Sequence, residues 1–480
     1  MQRPTLLWFR QDLRLADNPA LLAAIARDAP IIPVFIHAPD EEADWTPGAA
    51  ARWWQHRSLE ALAESLQRCG TRLVLRHGPT LPCLRELITE TNAAAVLWNR
   101  RYEPAVIARD RDLKRQLRAA GLEADSYNAA LLAEPWEVQN QSGRPYQVFT
   151  PFWRYLLKQL QPAPPLPAPT TLAPPPRWPR SDNLAQLGML PRIRWYETMQ
   201  GSWTPGERGA QQQLEQFVDE AFFSYLDARE RPAVAGTSRL SPHLHHGEIS
   251  PRQIWHGVAA AATRRRIDPA EWRSSQFLTE LGWREFAHHL LYHFPHTPLE
   301  PLRAEFKSFP WRHDASALAA WQSGRTGVPL VDAGMRQLWA TGWMHNRVRM
   351  VVASFLVKNL LLPWQDGARW FWDTLVDADL AANTLGWQWS TGCGADAAPY
   401  FRIFNPVSQG ARFDPQGLYV RRWVPELARL PDAHIHAPWE AAPAVLAAAS
   451  IALGETYPAP IVDLKASRAA ALTAYRAMRG

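Results

Sequence analysis

Cysteine is scarce in this chain. Its 480 residues contain three, Cys69, Cys83 and Cys393. None is spaced from another as a metal or redox pair, and the odd number argues against a disulfide framework, so a reducing interior is the natural setting. Long apolar runs are missing too. The run at 6–9 is far too short for a secretion signal or a membrane span. The run at 351–357 is cut by Lys358 and reads as a buried helix. No G-x-G-x-x-G follows the first apolar run, which removes the usual dinucleotide fingerprint from the N-terminal region. Charge is not extreme. With 20% charged and 47% hydrophobic residues the chain is globular rather than disordered. A net charge of +6 allows contact with polyanions, but ordinary basic enzymes share it.

What is present divides the chain. About 150 residues per domain suggests two or three domains. Over the first 130 residues, apolar runs at 6–9, 31–36, 73–75 and 94–98 alternate with helical stretches at 18–27, 52–68 and 109–120. That alternation predicts a doubly wound α/β domain with a parallel sheet. Residues 161–179 hold nine prolines in nineteen positions, which excludes helix or central strand and marks an extended linker. Beyond it the chain reads as helices and loops. Ala210, Leu214, Phe217, Val218, Ala221, Phe222 and Tyr225 recur at helical spacing. Ser250 before Pro251 reads as an N-cap followed by proline at the first helical position. The expected organisation is an α/β domain at 1–130, a linker at 131–204 and an all-α domain at 205–480. Tryptophan is abundant, with 24 copies, and a bulky indole whose N–H needs a partner is not casual filler.

Four segments carry chemistry. Gly236, Thr237, Ser238, Arg239, Leu240 and Ser241 combine glycine, hydroxyls and an arginine at a helix start, a pattern that holds phosphate or simply caps a turn. Glu280 and Trp283, three apart, share a helix face and could meet a base edge and a base plane. Trp343, Asn346 and Met350 share another face, with Arg347 and Arg349 pointing elsewhere on the same helix. Asp377 and Asp379 form a carboxylate pair with no nearby His or Cys cluster, which disfavours a metal.

These segments resemble the photolyase/cryptochrome family. WFRQDLRLADNPAL, GTSRLSPHLHHGEISPRQ, ELGWREF, VDAGMRQLWATGWMHNRVRM, DADLAANTLGWQWSTGCGADAAPYFRIFNP and YPAPIVDLKASR match its pattern in order, over essentially the whole chain. The resemblance implies FAD inside the helical domain. Tyr225, Thr237, Ser238, Arg239, Leu240, Ser241 and Phe277 would surround it, with Arg349 paired to Asp377, Asp379 close by and Asn383 beside flavin N5. An amide stays neutral at that position, which favours the photolyase branch over plant cryptochromes, which carry an acid there.

By the same resemblance the substrate is a cyclobutane pyrimidine dimer in UV-damaged DNA, flipped out of the duplex. Excited reduced flavin would pass it one electron, and the electron would return after ring opening. Trp283 and Trp389 would stack on the dimer, Glu280 and Asn346 would bond its edges, and Met350 would touch its apolar face. Arg229, Arg347 and Gln409 match DNA-contacting positions. Relatives that repair six-four photoproducts carry histidine where this chain has Asn346. Trp387, Trp364 and Trp311 match the family's electron-transfer chain.

Many relatives add a light-harvesting chromophore. Here Tyr102 and Glu103 continue as Pro104, Ala105 and Val106, so a glutamate of one common folate pattern is absent. Methenyltetrahydrofolate is favoured, with deazaflavin or an empty site as alternatives. The chain ends at Gly480, without the long extension common in signalling cryptochromes, which are the alternative reading. The expected protein is a cytoplasmic, DNA-associated monomer with no membrane contact.

Overall fold

A computed structural model describes residues 2–396 and 401–479. The part of the DADLAANTLGWQWSTGCGADAAPYFRIFNP motif at 397–400 lies outside the described residues.

The N-terminal region is a five-stranded, fully parallel sheet in the order β3-β2-β1-β4-β5. The strands are β1 (Thr5–Phe9), β2 (Ile31–His37), β3 (Val74–His77), β4 (Ala95–Asn99) and β5 (Glu123–Tyr127). Helices α1 (Pro19–Ile25), α2 (Ala49–Arg68), α3 (Thr80–Thr91) and α4 (Pro104–Ala119) cover both faces. Strict alternation along β1 sends Leu7 and Phe9 to the α1/α2 side and Leu6 and Trp8 to the α3/α4 side. Both faces are buried, which is why the central strands read as unbroken apolar runs. Strand β5 and helix α3 are not among the elements expected from the sequence. The strand sequence EADSY has little apolar signal, and β5 exists by pairing at the sheet edge, Ala95 opposite Glu123.

The proline-rich stretch has no helix or strand, as expected. It is nonetheless fastened to the α/β region. Its few available N–H and C=O groups bond Cys69, Ile31 and Asp17: Leu172 N to Cys69 O at 2.8 Å, Ile31 N to Ala173 O at 2.9 Å, and Asp17 N to Leu166 O at 2.8 Å. Just beyond, Asp182 N bonds Leu75 O at 3.0 Å and covers the β3 edge. The expected linker 131–204 also contains helix α5 (Phe149–Gln159), whose Phe149, Phe152, Trp153 and Leu156 are buried in the helical core. That part of the span is a packed element. Its apolar spacing is helical, and the neighbouring prolines mask it in the sequence.

The remainder is helical. Ser250 caps the Pro251–Arg264 helix as expected, in a reciprocal capping box with Gln253. The Asn346–Ser354 helix continues into one π-helical turn, Phe355–Asn359, and the expected buried stretch is indeed core. The two regions interlock through polar contacts. Glu207 accepts from Leu15 N and Ala16 N at 2.9 Å each, Asp373 accepts from Ala49 N at 2.8 Å, and Arg252 pairs with Asp17 at 2.7 Å. Among the described residues no helix is long and apolar enough to cross a membrane.

Candidate active site

A cavity of about 500 Å³ opens among four helices of the C-terminal region: Gln276–His293, Asn346–Ser354, Trp364–Thr374 and Leu380–Thr391. The first contributes Glu280, Trp283, Arg284 and Ala287, and the second Asn346, Arg349, Met350 and Ala353. Each set follows i, i+3, i+4, i+7, so each helix turns one stripe to the cavity. Contrary to expectation, Arg349 joins the stripe of Asn346 and Met350, whereas Trp343 precedes the helix and does not line the cavity. The alanines end both stripes and leave room. This volume lies within the range of cofactor sites.

The wall combines aromatic, amide and charged groups. Asp379 caps the Leu380–Thr391 helix by accepting from Ala382 N at 2.8 Å. Four residues on, Asn383 donates from Nδ2 to Ala368 O at 3.1 Å. That bond orients the amide, and among the described residues nothing donates to its Oδ1. Trp387 lies one further turn along, 2% exposed, against Phe371. Gly367 makes that placement feasible, because a Cβ there would sit 2.0 Å from the indole.

Arg349 donates from one terminal nitrogen to both oxygens of Asp377, at 2.8 and 3.1 Å, as the resemblance implied. Burial opposes ionisation of Asp379, but His288, His245 and Arg284 outweigh it and hold this carboxyl well below the usual carboxylate range. His345 is neutral. Burial and the charges of Arg347, Arg349 and Arg229 push it down to about 4, and its Nδ1 accepts from Arg347 N.

Trp283 stacks on Phe149 with centroids 3.7 Å apart, and Trp389, also lining the cavity, packs beside Phe404. Two of the expected DNA contacts are engaged with carboxylates. Arg229 pairs with Glu280, and Arg347 donates to Glu230 while lying 4.5 Å over Phe413. Glu280 also accepts from Gln276 at 2.7 Å. Glu230 is an addition to the expected set, since nothing local in the sequence marks it as the partner of Arg347.

Other expected residues stand behind the wall. Ser241 lines the cavity, whereas Thr237, Ser238, Arg239 and Leu240 do not. Arg239 adopts φ +52° and lays its guanidinium 4.0 Å over Trp203, not over an anion. Tyr225 and Phe277 pack edge to face at 5.4 Å beside Phe217. Gln409 does not line the cavity. Trp364 is buried in the same core as Trp387, and half-buried Trp311 packs against that core beside Phe309.

The arrangement suits FAD. The cavity is large and mixed in polarity, and Asn383 lines it with an Oδ1 to which no described residue donates. Trp387, which lines the cavity, has its Nε1 buried without a protein partner. Buried polar atoms of that kind call for a partner.

Comparison with known proteins agrees. Residues 5–170 match the DNA photolyase family, and 277–477 match the FAD binding domain of DNA photolyase. The chain is 49% identical over 477 residues to a deoxyribodipyrimidine photo-lyase of Agrobacterium fabrum, covering 99% of this chain and 98% of that protein. It is 42% identical to cryptochrome-1 of Arabidopsis thaliana, covering 97% of this chain and 69% of that protein. The crystal structure of a bacterial class III photolyase from Agrobacterium tumefaciens superposes with a TM-score of 0.95 at 48% identity, over 100% of this chain and 98% of that one. The parallel α/β region, the helical cavity and these matches place the chain in the photolyase/cryptochrome family.

Proposed function

We infer that this chain is a light-driven lyase that splits cyclobutane pyrimidine dimers in UV-damaged DNA. One observation carries the reading. The same cavity has the indoles of Trp283 and Trp389, together with Glu280, Asn346 and Met350, alongside Trp387, Asn383, Arg349, Asp377 and Asp379. Indoles hold two flipped, unstacked neighbouring bases of one strand by their faces, at about 1–3 kcal/mol per stacked base. Polar groups beside them bond its edges, and Met350 supplies a soft apolar contact.

Arg349, Asp377, Asp379, Asn383 and Ser241 would hold FAD, with Tyr225, Phe277 and the 237–240 loop supporting that side of the domain. Bound there, reduced and photoexcited FAD supplies the electron that opens the dimer and takes it back afterwards. The protein's own work is binding, orientation and exclusion of water. Asn383 remains neutral whichever proton state it faces. Arg229, Arg347 and Gln409 would meet the DNA backbone, the two arginines exchanging Glu280 and Glu230 for phosphate. The chain would act as a cytoplasmic monomer.

Trp387, Trp364 and Trp311 would pass electrons between cavity and surface. Trp387→Phe is expected to abolish most photoreduction of oxidised flavin while sparing repair by pre-reduced enzyme. Transient absorption and a repair assay, run on the same preparation, separate the two effects.

A second chromophore would sit against the α/β domain. A cleft of about 190 Å³ is lined by Glu42, Trp45, Glu103 and Trp372, and Trp45 Nε1 is buried there without a partner. Folate suits the indoles. A deazaflavin is the other candidate, and mass analysis of released chromophores distinguishes them.

The similarity to a plant cryptochrome favours a second reading, blue-light signalling. The decisive test mixes reduced protein with an oligonucleotide carrying one thymine dimer and follows the thymine absorbance. Restoration only under blue light supports the lyase. No restoration with FAD bound and reduced favours signalling.

A further inference from the structure

His288 lies just behind the cavity wall, on the helix that supplies Arg284 and Ala287 to it. Its Nδ1 is 3.0 Å from the carbonyl oxygen of Arg284. A carbonyl can only accept, so Nδ1 carries a proton in every charge state. The titrating nitrogen is therefore Nε2, and it faces Asp379 Oδ2 at 3.5 Å. When Nε2 is protonated the two groups form an ion pair. When it is not, a lone pair confronts a carboxylate.

We propose that His288 is a positioning residue whose charge, acting through Asp379, sets how readily a flavin in the adjoining cavity accepts electrons. The proposal rests on the reading that FAD occupies that cavity. Asp379 belongs to the wall itself and caps the helix carrying Asn383 and Trp387. With His288 charged, the pair is neutral. With His288 uncharged, the Asp379 carboxylate in the wall keeps only Arg284 and His245 near it, and the added net negative charge opposes electron uptake.

The other groups facing this pair come from three directions, and one of them, Glu285, is raised by burial to about 7, so it titrates in the same range. On its own helix, Arg284 donates to Ala130 O at 2.6 Å, and Glu285 accepts from Leu132 N at 2.9 Å. From the Ser241–His245 helix, His245 Nδ1 lies 3.9 Å from the same Asp379 oxygen. From the α/β side, Glu103 is held by Arg101, which also binds Glu42. The Tyr102 ring meets His288 edge-on at 6.2 Å while its hydroxyl donates to Glu134 at 2.8 Å. Burial lowers the His288 pKa, but Asp379 outweighs it and leaves it above the ordinary value of 6.5. The switch therefore falls on the alkaline side of that value.

The test uses the full chain loaded with FAD. Histidine side-chain NMR follows His288 against pH, assigned with His288→Arg or His288→Gln. Spectroelectrochemistry follows the flavin reduction potential over the same range. The wild-type potential is expected to fall across the NMR midpoint, from the level of His288→Arg at low pH to that of His288→Gln at high pH. Both variants should lack that step. If His288→Gln does not fold, loss of the step in His288→Arg decides the matter. A step that survives in the variants, or a His288 midpoint at or below 6.5, overturns the proposal while leaving the FAD reading intact. Failure of the wild-type chain to bind FAD overturns both.

Discussion

The strand ends of the α/β region and the cavity of the helical region use the same parts, arginine, carboxylate and indole, to opposite effect. Beyond β1 and β2, Arg101 grips Glu42 and Glu103, Arg109 reaches Glu41 and Asp110, and Arg10 pairs with Asp110 while lying 4.6 Å over Trp8. Only about 30 Å³ remains between them. In the helical region Arg349, Asp377, Asp379 and Trp387 surround about 500 Å³. The difference lies in the scaffold. At the strand ends, long side chains from the following loops, the 3-10 segment Pro39–Trp45 and helix α4 close on each other. The helices diverge around small residues, Ala287, Ala353, Ala382 and Gly386, so charged pairs line the space without filling it.

If that division of labour holds, damage to one region should register as stability and damage to the other as binding. The largest effect belongs to the closed region. Trp98, 1% exposed in β4, is core, and Trp98→Ala is expected to cost about 3–5 kcal/mol in urea unfolding. FAD content per folded molecule should not change. A loss of FAD from the folded fraction would break the contrast.

Glu285 probes the seam between the regions. Burial raises its carboxyl to about 7 against the opposing influence of Arg284, His288 and two backbone N–H groups. Its folded pKa lies above the unfolded value of 4.5. The folded chain therefore holds the extra proton between those limits, and stability falls as pH rises across that window. The contribution is of order ~3 kcal/mol. Glu285→Gln should flatten that slope in unfolding experiments between pH 4.5 and 7.

The open region gives the smallest stability change and the clearest binding change. Trp283→Ala should weaken binding of lesion-containing DNA by about 1–3 kcal/mol, roughly fivefold to 150-fold. Fluorescence anisotropy against undamaged DNA checks it. Equal weakening on both DNAs would remove Trp283 from lesion recognition and sharpen the role of Trp389.

Much of this is legible in the chain. The apolar runs mark four of the five strands, because a strand buried on both faces announces itself, whereas edge strand β5 does not. The spacing of Glu280 with Trp283, and of Asn346 with Met350, is enough to put each pair on one helix face. Local periodicity is a property of the helix and survives in the sequence. The roles of Arg349 with Asp377, and of Asn383, come through family resemblance.

What the sequence determined by itself is the two-region plan and the stripe each helix presents. Which stripes face one another was decided by tertiary packing. Phe149 stacks on Trp283, Glu230 meets Arg347, and His288 meets Asp379, in each case from distant parts of the chain. Short-range steric rules write the first kind of information into neighbouring residues. The second kind arises only when long-range burial brings helices together, and a charged side chain then takes whichever partner the core has placed within reach.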